Sequence, residues 1–524
     1  MLLVVTLLLA TGLAASAQTW QPLLNPPPVP EIIDPQYNYD LGPGGASYPI
    51  LLTDGSVIIQ NENGCCADGK IFQLTPDING SYLNGTWTEL ATMPYVETAA
   101  AAAVLPDGRV IIEGGEFSGY EEYFTLTNQG AIYDPIADSW TSVPPPSFFV
   151  DLYPPRAVFA PNPIGDAASV VLPNGTFMLA DKMSRQAALF NAETLTWNET
   201  GTSTKADMND EEGWTLLPSG EVLTVDCYTD YYFGLLPPPY PANATNSEIY
   251  NPGRDSWSSA GSTINTLTDP YLSETGPAVL RPDDTVFAVG SEGYTSIYNP
   301  TKQKWTAGPT LPISPQGYQY TAQDAPGALL PNGNVLFAVS GGGGYPPNYS
   351  GPPVAFFEFD GKKLIAEPTI PNPFNYVSGS ISLLPLPTGQ VLATNYTNDV
   401  EIYTPASLPH KAVWAPVILS VPTTVHLGQS YIVQAIRLNG MSQASMFGDE
   451  GQNATNYPLV RITNLRTKHV FYSRTHDHSS MAVASNAPAT THFDVPPYQE
   501  TGRSRLEVVA NGIASNPVIV NVEP

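Results

Sequence analysis

The sequence predicts an all-β protein: a seven-bladed β-propeller followed by a C-terminal immunoglobulin-like β-sandwich. Three observations carry this reading. A turn of the Leu-Pro-Asp-Gly type recurs seven times, an aromatic residue and a tryptophan follow it at fixed spacing in most copies, and the composition is rich in turn formers. With 43 Gly and 54 Pro in 524 residues and only 13% charged residues, the chain shows almost no helical pattern.

The repeating unit is clearest over residues 101–140. Ala103, Val104 and Leu105 lead into Pro106-Asp107-Gly108, and Val110, Ile111 and Ile112 follow as a second apolar run. Asp-Gly between two such runs is a hairpin signal, because the turn needs a positive φ that glycine adopts without a Cβ clash. The second run ends at Gly114-Gly115; a loop leads to Ala131-Ile132-Tyr133, Asp134-Pro135 turns the chain, and Trp140 closes the unit.

The same grammar recurs at Leu52-Thr53-Asp54-Gly55 with Trp87, at Leu172-Pro173-Asn174-Gly175 with Phe190 and Trp197, and at Leu217-Pro218-Ser219-Gly220 with Tyr250 and Trp257. It returns at Arg281-Pro282-Asp283-Asp284 with Tyr298 and Trp305, at Leu330-Pro331-Asn332-Gly333 with Phe359, and at Leu386-Pro387-Thr388-Gly389 with Tyr403. Tyr133/Trp140, Phe190/Trp197, Tyr250/Trp257 and Tyr298/Trp305 all keep a seven-residue spacing. A period of roughly 45 to 65 residues with four short strands per unit is the mark of a kelch-type propeller.

In chain order, residues 1–17 form an apolar run ending at Ala15-Ser16-Ala17, the small-residue pattern of a signal peptide, although its usual positive start is missing. The mature chain is expected to be exported and to have no membrane segment. Residues 18–414 form the propeller. Gln18-Thr19-Trp20-Gln21-Pro22 reads as a Trp strand without its blade, and the copy ending at Tyr403 as a blade without its Trp strand, so the N-terminal strand is expected to close the ring and remove two open edges. Residues 415–524 alternate as short strands and form the second domain.

A formal net charge of -28 argues against nucleic acid or an anionic membrane as partner. A carbohydrate or other small polar ligand is compatible with it, and a monomer is expected. The three cysteines, Cys65, Cys66 and Cys227, leave at least one thiol unpaired within the chain; either Cys227 pairs with one of the other two or none pair.

Four groups are candidates for chemistry. Tyr228, Tyr231 and Tyr232 lie in an aromatic insertion of the fourth blade and can stack on a sugar ring; Tyr-Pro packing inside a long loop is the alternative. Asp207, Asp210, Glu211 and Glu212 offer carboxylates to Ca²⁺, or form a solvated charge run. All six histidines lie from His410 onward, and among them His476 and His478 flank Asp477. On a strand these two imidazoles share a face and can share a metal; a polar turn at the domain interface is the alternative. Asp449 and Glu450 can assist such a metal or merely form a turn.

The whole arrangement resembles galactose oxidase and glyoxal oxidase, the copper radical oxidases. Asn456-Tyr457-Pro458-Leu459-Val460-Arg461, Thr475-His476-Asp477-His478-Ser479-Ser480-Met481 and Val508-Val509-Ala510-Asn511-Gly512-Ile513-Ala514-Ser515 are similar to that family's C-terminal early-set domain. The resemblance implies oxidation of an alcohol or aldehyde by O₂ with release of peroxide, at a copper held by two histidines and two tyrosines, one tyrosine linked to a cysteine. It implies a propeller histidine at Asn375-Tyr376-Val377-Ser378-Gly379-Ser380, the linked cysteine near Thr98-Ala99-Ala100-Ala101 and the linked tyrosine near Gly165-Asp166-Ala167-Ala168; none of the three is there. Of the implied ligands only His476 or His478 carries over. Copper(II) is therefore disfavoured. The expectation is a non-copper module that binds carbohydrate or a cell-wall component, the alternative being an oxidoreductase of the same type with a rebuilt metal site.

Overall fold

The computed structural model describes residues 19–34, 39–64, 66–118, 126–149, 162–201, 204–227, 245–269, 274–343, 350–406, 410–448 and 453–524. The segment 1–17, Cys65, Tyr228, Tyr231, Tyr232, Asp449 and Glu450 lie outside them. Seven antiparallel sheets form a closed ring. Their innermost strands are Ala46–Leu51, Ala101–Val104, Ser169–Val171, Thr215–Leu216, Ala278–Leu280, Gly327–Leu329 and Ser382–Pro385. Each leads through the recurring turn into the second strand. In the second blade the Leu105 amide donates to Arg109 O at 2.8 Å and the Gly108 amide to Leu105 O at 2.9 Å, with Gly108 at φ +85°. The fifth blade keeps the geometry with Asp284 in glycine's place, at φ +67°.

The seven-residue spacing has a direct cause. Tyr133 faces Trp140, Phe190 faces Trp197, Tyr250 faces Trp257 and Tyr298 faces Trp305 across the ladder of the two outer strands. Their ring centroids lie 5.0, 4.7, 5.4 and 5.0 Å apart. Directly opposed aromatic pairs are what stabilise a two-strand ladder beyond its backbone bonds. The last blade obtains its pair from the other end of the chain: Thr19–Pro22 runs antiparallel to Glu401–Thr404, with Trp20 opposite Tyr403. The ring therefore closes through the N-terminal strand, as the sequence implied.

The C-terminal domain is one continuous curled sheet from Val417–Ser420 to Val518–Glu523, folded over its own core of Val433, Val460, Ile462, Phe493, Leu506 and Val508. It sits on the ring face that carries the Asp-Gly turns. The Thr475 amide donates to Thr53 O at 3.1 Å, the His478 amide to Pro106 O at 3.0 Å and the Met481 amide to Pro173 O at 2.9 Å. Among the described residues there is no α-helix, and no helix is long and apolar enough to cross a membrane.

One segment of this domain leaves it. Ser445–Met446 adds a fifth strand to the sixth blade, antiparallel to the innermost strand Gly327–Leu329, with Met446 opposite Gly327. Gln443 anchors the rising limb by accepting a bond from the Leu216 amide at 2.7 Å; Asn453 anchors the descending limb by donating to Pro49 O at 3.1 Å. The limbs 443–448 and 453–456 thus run along the axis of the ring, and Phe447 and Gly448 reach the face opposite the domain that sent them.

Candidate functional site

The chain entering each innermost strand forms the rim of the axial mouth on that opposite face. Gly448 arrives there between two blades. A Cβ on Gly213 would lie 2.2 Å from Gly448 O, and one on Gly448 would lie 3.2 Å from Thr275 O. Glycine is required at 213 because the finger's backbone passes where a side chain would stand. Beside this contact, Glu211, Glu274 and Asp324, all half-buried, each bring a carboxylate oxygen to within 4.8 Å of the others. The Asp324 amide donates to Thr275 O at 3.1 Å, which fixes the two blade entries to one another.

Two buried lysines underlie this surface. Lys182 Nζ is 2.9 Å from Asp210 and 2.7 Å from Glu211, and it also pairs with Asp166. Lys205 Nζ is 2.7 Å from Asp207, 2.7 Å from Glu212 and 3.0 Å from Glu248. Burial pushes Asp210 up to about 7, with Lys182 opposing and Glu211 adding to the rise. Asp226 is pushed up to about 8 by burial and by Asp207, against the pull of Lys205. Burial works against the Lys205 ammonium, yet Glu212, Asp207, Asp226 and Glu248 together hold it well above the ordinary lysine value. Carboxylates outnumber ammonium groups here, so part of the cluster holds protons near neutrality.

The acidic run is therefore not a solvated charge run. Asp207, Asp210 and Glu212 are wholly buried, and their charge is offset by Lys205, just before the run, and by Lys182 from the preceding blade. Its relation to Ca²⁺ is also different from the simple reading, since Lys205 occupies the centre of the buried set. The half-buried carboxylates Glu274 and Asp324, with Glu211, are the ones that face outward.

The histidines lie elsewhere. The strand Val470–His476 ends at His476; Asp477 then takes φ +52°, and the regular alternation that would align two imidazoles is broken. His478 turns inward: its Nδ1 pairs with the Thr491 hydroxyl at 2.8 Å, and burial drives its pKa down to about 3. The ligand atoms that do converge are those of His476, Asp477 and His492, within 4.8 Å of one another, and His478 is not among them. The segment 475–481 packs on the turn face of the ring, whereas the stretch that reaches the axial mouth carries Met446, Phe447 and Gly448.

The residues at the mouth do not fit the copper that the resemblance implies. Residues 1–409 contain no histidine, and where the linked tyrosine would stand Asp166 pairs with Lys182. The Tyr376 stretch supplies Ser378, whose hydroxyl donates to Gln323 O at 2.7 Å. An imidazole-poor, carboxylate-rich donor set suits hard cations or hydroxyl groups, not copper(II). Cys227 is buried in the fourth blade, with its thiol donating to Glu211 O at 3.0 Å, and no disulfide joins it to Cys66.

No family model matches the chain. A kelch-like protein from Aspergillus terreus, terF, is 38% identical over 78 residues, which is 15% of this chain and 17% of that protein. The chain thus spans less than a fifth of the length of the curated relative it matches. With the seven blades and their paired aromatics already described, this local likeness agrees with the repeat read from the sequence. The chain folds as a seven-bladed propeller with kelch-like repeats. Among solved structures, a fungal alcohol oxidase of the AA5 family, in complex with copper, is 15% identical over 93% of this chain and 86% of its own, with a TM-score of 0.42. A catalytically inactive virginiamycin B lyase from Staphylococcus aureus, with quinupristin, is 10% identical over 74% of this chain and 99% of its own, with a TM-score of 0.44.

Proposed function

We propose that this protein is an exported binding module whose axial mouth takes a carbohydrate or cell-wall component, without copper-radical turnover. The observation that carries this reading is the convergence of Glu211, Glu274 and Asp324 at a mouth with no imidazole. Carboxylate oxygens accept charge-assisted hydrogen bonds from hydroxyl and ammonium groups, and neighbouring carboxylates can hold adjacent hydroxyls of one sugar. Lys182 holds Glu211, and the bond from the Asp324 amide to Thr275 O ties the other two blade entries together, so little ordering is lost on binding. A net charge of -28 favours neutral or amino-sugar glycans over uronic acids and sulfated chains. The apolar N-terminal run ending at Ala15-Ser16-Ala17 supports export.

The test is glycan-array binding by the mature chain and by its Glu274→Gln and Asp324→Asn variants. Retention of neutral or amino-sugar glycans that falls at least tenfold in both variants supports the reading. No retained glycan, or retention unchanged by both substitutions, rules it out.

A further inference from the structure

We propose a second site, independent of the axial mouth: a divalent late-transition-metal site, of the Zn²⁺ class, on the outer face of the C-terminal domain, formed by His476, His492 and Asp477. His476 and His492 are direct partners across the antiparallel strands Val470–His476 and Ala489–Asp494. Their rings lie nearly parallel, 16° apart in plane, with centroids at 5.3 Å. Two imidazoles stacked this way gain little unless something lies between or beside their nitrogens.

Asp477 supplies that neighbour. Its left-handed backbone, φ +52°, turns the carboxylate back over both rings. Oδ2 lies 2.8 Å from His476 Nδ1 and 3.6 Å from His492 Nδ1. Donors on a tetrahedral zinc stand about 3.4 Å apart, the edge that ~2.1 Å bonds dictate. The two separations bracket that value, so a small rotation of either ring completes three corners. His492 Nδ1 is itself buried from solvent and makes no hydrogen bond, its polar neighbour being Asp477 Oδ2 at 3.6 Å.

The remaining nitrogen of His476 is already oriented. Its Nε2 lies 3.1 Å from Asp494 Oδ1, and Arg474 holds the other oxygen of that carboxylate at 3.3 Å. The Asp494 carboxylate keeps a proton on Nε2, so the metal takes Nδ1 by displacing the proton that Nδ1 donates to Asp477 at 2.8 Å. Two imidazole nitrogens and one carboxylate suit Zn²⁺, Ni²⁺ or Cu²⁺ rather than Ca²⁺ or Mg²⁺, and the fourth position stays open to water or an external ligand. Nothing here draws on the propeller mouth, so the site stands or falls separately from glycan binding.

Isothermal titration of metal-free mature protein with Zn²⁺ tests it, with His492→Ala, Asp494→Asn and, as control, His426→Ala. One equivalent is expected, with affinity falling at least about tenfold in His492→Ala, and roughly tenfold in Asp494→Asn through lost orientation; His426→Ala should match the wild type. Should His492→Ala fail to fold, diethyl pyrocarbonate labelling of the wild type replaces it: Zn²⁺ should protect His476 and His492 and leave His426 and His469 reactive. Absence of stoichiometric Zn²⁺ binding, binding indifferent to His492→Ala, or labelling unaffected by Zn²⁺ overturns the proposal.

Discussion

Trp20 and Tyr403 face each other across an antiparallel ladder with ring centroids 5.0 Å apart, so the first described strand and the last strand of the ring form one outer edge. The Trp20 indole also donates to Pro368 O at 2.7 Å and packs 4.7 Å from Phe356, which ties the closing strand to the neighbouring sixth blade. Trp20→Ala is expected to cost about 2 kcal/mol through lost burial and ring contact, read as a lower melting temperature. Unchanged melting would mean that the ring does not depend on this closure.

The axial finger depends on one glycine. Gly213→Val would place a side chain where Gly448 O now passes, at 2.2 Å from the new Cβ. The finger must then shift or withdraw. Increased proteolysis within the stretch 441–456 is the expected result, with glycan retention lost as the mouth deforms. A variant with wild-type resistance to protease would show that the finger is not held there.

Lys205 bonds to Asp207, Glu212 and Glu248. Lys205→Met leaves three buried carboxylates competing for protons. Removing one partner of a buried ion pair typically costs about 3–5 kcal/mol, and here several partners are stranded. Chemical denaturation should show a loss at the upper end of that range; a loss under about 1 kcal/mol would mean that the carboxylates are neutral without it.

The pH dependence follows from the same cluster. Asp210 at about 7 and Asp226 at about 8 both lie above their unfolded values near 4. Between those limits the folded chain keeps protons that the unfolded chain releases, so this contribution is complete below about 4 and is lost as pH rises through 7 to 8. His478 acts in the opposite sense: held down to about 3, it contributes stability above its unfolded value and loses it as pH falls. Stability should therefore peak at mildly acid pH, with a melting temperature lower at pH 9 than at pH 6. Asp226→Asn should flatten that decline. A melting temperature that rises from pH 6 to pH 9 would contradict the assignment.

The fold was legible because its signals are local. A turn needing positive φ and an aromatic pair at seven-residue spacing are both dictated within one hairpin, as Gly108 and Tyr133/Trp140 show. Even the closing strand could be read, since Trp20 lacked a partner and Tyr403 lacked a tryptophan. The site was less legible because it is assembled from three separate blade entries and a finger from another domain. One signal was nevertheless present. An acidic residue stands three or four positions before the innermost strand in five blades: Glu97, Asp166, Glu212, Glu274 and Asp324. Two of these, Glu274 and Asp324, stand at the mouth, whereas Glu97, Asp166 and Glu212 are buried. Lys182 and Lys205 gave no such cue, since only burial reveals what they offset. His478 was misaligned with His476 because Asp477 adopts a left-handed backbone, which strand periodicity does not foresee.

The most direct test of a non-copper mouth is peroxide release, not copper content, because His476 and His492 can themselves take Cu²⁺. Mature protein loaded with Cu²⁺ should be assayed with a panel of alcohols, aldehydes and sugars, with O₂ supplied. No catalytic peroxide is expected on any substrate, alongside glycan retention that depends on Glu274 and Asp324. Steady, substrate-dependent peroxide formation would contradict it and make this chain an oxidase with a rebuilt site.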